Sequence, residues 1–98
     1  MSTTPEGKVK DKIKKLLKSE FPDAWYFWPR GTMMGRSGIP DLIICRKGRL
    51  LGVEVKAGKN TPTPLQLKEL NGITQAGGIG MWVNENSLEE LRQALLAV

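Results

Sequence analysis

The first regular pattern in the chain is a stripe of mostly apolar residues at helical spacing near its start. The stripe consists of Val9, Ile13, Leu16, Leu17 and Glu20. Thr4-Pro5 stands ahead of it, and a hydroxyl followed by proline is a favourable helix start. Phe21-Pro22-Asp23 follows it, and the residue before a proline disfavours helical backbone. The pattern predicts an amphipathic helix between these two boundaries.

Four short runs, rich in apolar residues, predict strands. The runs are Ala24–Trp28, Asp41–Arg46, Arg49–Lys56 and Ile79–Val83. Lys47-Gly48 reads as a tight turn between the second and third runs. We therefore expect these two runs to form a β-hairpin.

Capping patterns indicate two further helices. Thr63-Pro64-Leu65-Gln66 opens one that runs to about Ala76, where Gly77-Gly78 ends it. Ser87-Leu88-Glu89-Glu90 reads as a capping box for the last helix. The inward positions of that helix are Leu88, Leu91, Leu95 and Leu96. The predicted order of helix, three strands, helix, strand and helix is a mixed α/β layer fold with a four-stranded sheet, formed by residues 1–98 as one domain.

Composition narrows the chemistry that the chain can perform. The chain contains no histidine, which excludes Ser-His-Asp and Cys-His catalysis and histidine-ligated zinc. Cys45 is the single cysteine, so an intramolecular disulfide and a cysteine-rich metal site are both excluded. Any metal ion would therefore be bound mainly by oxygen, which favours Mg²⁺ or Mn²⁺.

The charge balance favours a polyanionic partner. The formal net charge is +5, and six lysines lie between Lys8 and Lys18. Nucleic acid is the common partner of such a chain, although the lysines also fit a solvated helix face. The sequence has no apolar run long enough to span a bilayer and no signal-peptide stretch at its start. We therefore expect an intracellular protein that does not contact membranes.

Glu54 and Lys56 fall on the same face of the third predicted strand, because side chains alternate along a strand. Asp41 begins the partner strand, and the register of the hairpin decides whether it lies near Glu54. If it does, the two carboxylates could bind a divalent cation, and the lysine could serve phosphodiester hydrolysis by stabilising charge or positioning water. Alternating Glu and Lys also occurs on solvated strand faces without catalytic meaning.

Glu6 and Gln66 each lie in the first turn of a predicted helix, and each has two interpretations. Glu6 leads the apolar stripe, where it could help to hold a metal or could complement the helix dipole. Gln66 completes the capping box that begins at Thr63, and its amide could also face the sheet and the site.

Several motifs, in order, resemble the PD-(D/E)xK nuclease superfamily, and within it the VRR-NUC family in its stand-alone form. They are Gly38-Ile39-Pro40-Asp41-Leu42-Ile43-Ile44, Gly52-Val53-Glu54-Val55-Lys56 and Pro64-Leu65-Gln66, with Glu6 in the first helix and Gly80-Met81-Trp82-Val83 in the last strand. The resemblance covers nearly the whole chain.

The resemblance implies a restriction-endonuclease-like αβββαβα core and DNA cleavage that depends on Mg²⁺ or Mn²⁺. It makes Asp41 and Glu54 metal ligands, with the backbone carbonyl of Val55 completing the inner shell. Lys56 is then the catalytic lysine. Glu6 would hold the metal or its waters from the first helix, and Gln66 would support the site from the second.

The resemblance also implies partners. Stand-alone members are similar to Holliday junction resolvases, so we expect a homodimer that cuts branched DNA such as four-way junctions, since symmetric cutting needs two sites related by a two-fold axis. The expected compartment is the cytoplasm of a bacterial cell or a phage-infected host. Candidate interface residues, which could equally belong to the core, are Met33, Met34, Trp25 and Trp28.

Basic residues in predicted loops and turns would contact DNA phosphates around the site. They are Arg30, Arg36, Arg46, Lys47, Arg49 and Lys59. Two rival functions stay open. One is a DNA-binding module on the same fold without catalysis, and the other is a flap or restriction-type nuclease.

Overall fold

The computed structural model describes residues 2–30 and 35–98 of the chain. Within these ranges the elements are α1 (Pro5–Glu20), β1 (Trp25–Phe27), β2 (Leu42–Arg46), β3 (Arg49–Val55), α2 (Pro64–Gln75), β4 (Ile79–Val83) and α3 (Leu88–Leu96). The predicted α/β class and the order αβββαβα are confirmed. In the part of the chain described, no helix combines the length and apolar character needed to cross a bilayer.

The four strands form one mixed sheet in the order β1-β2-β3-β4. The β1–β2 and β2–β3 pairs are antiparallel, and the β3–β4 pair is parallel. Lys47 and Gly48 form the hairpin turn with φ angles of 52° and 79°, which is the backbone that matches the strand twist. Because Arg46 pairs with Arg49, the register continues unbroken to Leu42 opposite Val53.

One face of the sheet carries the hydrophobic core. The buried residues of this core are Val9, Ile13, Leu17, Phe21, Leu42, Ile44, Leu51, Val53, Val55, Val83, Leu91 and Leu95. They come from α1, from the strands and from α3, so both helices pack on the same side. Burial of each such side chain contributes roughly 1.5–3 kcal/mol. This packing holds the start of α1 near the end of β3.

The opposite face is covered by α2 over β3 and β4. Gly52 and Gly80 pair across these strands, and each supports the close approach of α2. A Cβ added at Gly52 would overlap Ile73, and one added at Gly80 would overlap the backbone carbonyl of Leu70. The two glycines therefore let α2 lie directly on the sheet.

Two details of the predicted helices are wrong. Ser87 does not cap α3, because its Oγ accepts a hydrogen bond from the Asn84 N–H at 2.9 Å and closes the preceding turn. Leu96 is not inward but 50% exposed, since one residue past buried Leu95 rotates a side chain by about 100°. Glu20, at the end of the α1 stripe, lies on the surface in an ion pair with Arg92.

Replacing Gly80 by alanine should lower the free energy of unfolding by on the order of 2 kcal/mol, because the new methyl group pushes α2 off β4. Gly72→Ala is the matched control, since no described residue other than its chain neighbours and the adjacent backbone of α2 lies within 4 Å of its added methyl. It should raise stability by up to about 1 kcal/mol through helix propensity. Urea unfolding measures both, and equal effects would contradict the close packing at Gly80.

Candidate active site

Asp41, just before β2, lies level with Glu54 on the neighbouring strand β3. The hairpin pairs Leu42 with Val53, so the residue before β2 meets the residue after Val53. Asp41 Oδ2 accepts a hydrogen bond from the Val55 N–H at 2.9 Å. The register therefore brings the two carboxylates into one small volume.

Glu54 is a buried carboxylate with only half of its polar atoms satisfied. The residue is 2% exposed. Its Oε2 lies 3.5 Å from the Lys56 ammonium, while its Oε1 is buried without a hydrogen-bond partner among the described residues. Burial, reinforced by the charge of Asp41, raises the pKa of Glu54 to about 7, although Lys56 opposes the shift. A buried oxygen without a partner is costly.

Lys56 follows β3 directly and is positioned by the sheet. Its backbone N–H donates to the Val83 carbonyl at 2.9 Å, which continues the pairing with β4. Its side chain is 14% exposed. The ammonium therefore sits beside Glu54 at the edge of the site, where it can still reach a molecule from solvent.

Glu6 lies near the site but not beside Glu54. Its Oε2 is 3.4 Å from the Lys10 ammonium, and that ammonium is 3.8 Å from Asp41 Oδ1. Lys10 thus stands between Glu6 and Asp41. Lys10 was not predicted to be a site residue, although its position four residues after Glu6 is the spacing of a helical ion pair.

Gln66 lies in the first turn of α2 and caps that helix. Its Oε1 accepts from the Thr63 N–H at 2.9 Å, and its N–H donates to Thr63 Oγ1. The predicted capping box is therefore present. Gln66 makes no hydrogen bond to Glu54 Oε1, which has no partner within residues 2–30 and 35–98.

The donor set fits a hard divalent cation at Asp41 and Glu54. Glu54 Oε1 has lone pairs that no described residue engages, and among the described residues the charged neighbour of Asp41 Oδ1 is the Lys10 ammonium at 3.8 Å. Within residues 2–30 and 35–98, no three Cys, Asp or Glu side chains are grouped to hold a metal. An ion here would accordingly use two carboxylates and a backbone oxygen, as predicted for Val55.

Three of the six basic residues predicted to meet DNA lie away from these carboxylates. Arg46, Lys47 and Arg49 lie at the hairpin turn, at the opposite end of β2 and β3 from Asp41 and Glu54. The guanidinium of Arg46 contacts Asp23 Oδ1 at 3.1 Å and donates to the Leu95 carbonyl at 2.6 Å. Its side chain therefore ties β2 to α3.

The other three have different surroundings. Arg36 forms a two-pronged ion pair with Glu69 on α2, at 2.7 and 2.9 Å. Lys59 is exposed in the turn just after Lys56, and the N–H of neighbouring Gly58 donates to the Glu85 carboxylate at 3.0 Å. Arg30 is exposed at the end of a described range.

Known families, characterised proteins and solved structures were compared with the chain, and none matches it. The function is therefore inferred from the residues of the site and from their geometry.

Glu54→Gln should stabilise the metal-free protein at alkaline pH but not in acid. With a pKa raised to about 7, the folded protein binds more protons than the unfolded chain between the two pKa values, so wild-type stability falls as pH rises through that window. Glutamine stays neutral, and its advantage should approach on the order of 3 kcal/mol above the window.

Urea unfolding in EDTA, near about pH 5 and about pH 8, measures this difference. Glu90→Gln on the exposed surface of α3 is the control and should show no such pH dependence. A Glu54→Gln effect of equal size at both pH values would contradict the account of this buried carboxylate.

Proposed function

We propose that the protein is a metal-dependent endonuclease that hydrolyses DNA phosphodiester bonds. The observation that carries the proposal is the convergence of Asp41, Glu54 and Lys56 at the ends of paired strands. One oxygen of Glu54 is buried there without a partner in the part of the chain that the structure describes. The resemblance to stand-alone VRR-NUC nucleases agrees with this reading, and we propose membership of that family.

Asp41, Glu54 and the Val55 carbonyl would hold Mg²⁺ or Mn²⁺, with Glu6 as a candidate for contacting the waters of the ion. When bound, such an ion supplies charge to the phosphate oxygens and acidity to water. The protein contributes a fixed pair of carboxyl groups, because Asp41 accepts a hydrogen bond from the β3 backbone and Glu54 is buried on β3. Such preorganisation is what a catalytic electrostatic site requires.

Lys56 is the residue that we propose to contact the reacting phosphate. Its ammonium already neutralises Glu54 Oε2, and it carries three donors on a flexible stem. It can donate to a phosphate oxygen or to the attacking water while charge develops there. Gln66 would contribute indirectly, because its capping box orders the start of α2, where a helix N-terminus favours phosphate.

Branched DNA, such as a four-way junction, is the proposed substrate, and the bacterial or phage-infected cytoplasm is the proposed compartment. The net charge of +5 supports a nucleic-acid partner. Lys59 is the predicted phosphate contact nearest to Lys56 along the chain, and Arg30 is exposed as well. Arg46, Lys47 and Arg49 could touch DNA only where a duplex extends past the far end of the hairpin.

A second copy of the chain is the proposed protein partner. Trp25, Phe27, Ile43, Cys45 and Leu50 share the sheet face that carries α2 but lie on the strands beside it. We call this surface the outer apolar face. Trp25 is 62% exposed and Leu50 42%, and a cleft of about 510 Å³ opens between Leu50 and α2. A two-fold contact joins the same patch of two copies, and a projecting Trp25 beside a cleft gives this face groups that can complement each other.

The other residues predicted for the interface do not belong to the outer apolar face as the structure describes it. Trp28 packs against the core, with the Lys14 ammonium 5.3 Å from its ring centre. Met33 and Met34 lie outside the described residues. Trp25 is thus the member of the predicted set that an interface at this face would bury.

Lys56→Ala should reduce Mn²⁺-dependent cleavage of a synthetic four-way junction by roughly 100-fold or more, because the group that stabilises the transition state is lost. Asp41→Asn should have a similar effect. Lys18→Ala, at the far end of α1, is the control with the same loss of charge and should cleave as wild type does.

Time courses with Mn²⁺, Mg²⁺ and EDTA on junction, flap and linear duplex DNA decide between the functions. If wild type and Lys56→Ala leave every substrate equally intact while wild type still binds DNA, the chain is a DNA-binding module without catalysis. Preferential cutting of flap or linear duplex would instead replace the junction substrate.

Trp25→Lys should convert a dimer into a monomer, because a charge would be buried at the centre of the contact. Light scattering coupled to gel filtration should give twice the chain mass of 10.9 kDa for wild type and the single mass for the variant. Leu96→Lys, at an exposed apolar position on α3, is the control and should remain dimeric. A monomeric wild type at every concentration would contradict the proposed partner.

A further inference from the structure

Lys10 links two carboxylates at the rim of the candidate site. It lies on α1, one helical turn after Glu6, and its ammonium is 3.4 Å from Glu6 Oε2. The same ammonium is 3.8 Å from Asp41 Oδ1. The Lys10 side chain is 29% exposed, so its charged end borders solvent.

The two oxygens of Asp41 have different partners. Oδ2 accepts the hydrogen bond from the Val55 N–H and is thereby fixed to β3. Oδ1 faces Lys10 instead. The oxygen that remains free to bind a cation is thus the one that the lysine already neutralises.

We propose that Lys10 is a positioning residue that acts as an internal counter-ion, neutralising Asp41 Oδ1 in the metal-free protein and leaving it when a divalent cation binds. The inference rests on the proposed function, since it takes Asp41 as a cation ligand. Lys10 and the cation cannot both occupy the same face of Asp41, because their charges repel each other.

The contact between Lys10 and Asp41 is weak enough to be broken when a cation binds. A separation of 3.8 Å is longer than a hydrogen bond, so the ammonium holds Asp41 by charge alone. A lysine at a partly exposed site has a flexible stem and gains little from one such pair. Glu6 is a second, closer partner of Lys10, and this ion pair can persist after the contact with Asp41 is broken.

The arrangement differs from the pair formed by Lys56 and Glu54. In that pair the side chains are only 14% and 3% exposed, and Lys56 has no second carboxylate among its ion-pair partners within the described residues. Lys56 is therefore suited to remain in place during the reaction. Lys10, with two carboxylates and an open side, is suited to move.

Calorimetric titration with Mn²⁺ alone, without DNA, tests the proposal on the folded full chain. Lys10→Met removes the charge but keeps the length of the stem, and its Kd for Mn²⁺ should be about three- to fivefold lower than that of wild type. Lys18→Met makes the same change of net charge two turns further along α1, where screening should leave the Kd within about twofold of wild type.

Lys10→Arg restores a cation and should return the Kd to the wild-type value or above it, which a purely structural role for the lysine stem would not predict. Asp41→Asn should abolish the Mn²⁺ binding that these variants modulate. Equal Mn²⁺ affinities for Lys10→Met and Lys18→Met, or weaker binding by Lys10→Met, would overturn the role of Lys10 while leaving the proposed function standing. Absence of Mn²⁺ binding by wild type and by every variant would instead overturn the proposed function, and the role of Lys10 with it.

Discussion

The hydrogen bond from the Val55 N–H to Asp41 Oδ2 is the contact on which the candidate site depends. It joins the residue before β2 to the last residue of β3 and so fixes the position of the Asp41 carboxylate. A hydrogen bond to an ionised group contributes about 1.5–3 kcal/mol. Because it orients Asp41 along the β3 backbone, the carboxylate of Glu54 beside it acquires a fixed neighbour of like charge.

The proximity of Asp41 and Glu54 places two acidic groups side by side, and their charges must be balanced. Core packing beneath β3 and the close seating of α2 above it leave Glu54 almost without solvent, so its charge has to be balanced from within the protein. Lys56 balances one oxygen of Glu54, and Lys10 balances Asp41. The remaining oxygen of Glu54 has no partner among the described residues, and a buried carboxylate is costly unless it is protonated, paired or bound to a metal. This imbalance is the physical basis for proposing a metal-dependent nuclease.

Sequence reasoning recovered the elements because their signals are local. Thr4 and Thr63 cap their helices, and Lys47-Gly48 makes the predicted turn. The sequence left the hairpin register open, and the pairing from Arg46 opposite Arg49 to Leu42 opposite Val53 is what places Asp41 beside Glu54. The errors arose where a side chain had more than one possible partner. Ser87 bonds backward to Asn84 instead of forward into α3. Gln66 had two predicted roles, and its capping hydrogen bonds with Thr63 are the one that the structure shows.

Long-range placement was beyond what the pattern could supply. Arg46 belongs to a turn in sequence, yet its guanidinium reaches across to α3, because tertiary packing brings Asp23 and the Leu95 carbonyl within reach. Lys10 looked like one of many solvated lysines, and only the packing of α1 against β3 brings it to Asp41. Local periodicity predicts which face a residue occupies but not which distant group it meets.

A crystal structure of the protein soaked in Mn²⁺, with the anomalous signal of the metal, tests the central claim most directly. The account predicts an anomalous peak at bonding distance from Asp41 Oδ1, Glu54 Oε1 and the Val55 carbonyl, with the Lys10 ammonium withdrawn from Asp41. A map without a peak at these atoms at saturating Mn²⁺, and with Glu54 Oε1 still unpartnered, would contradict it.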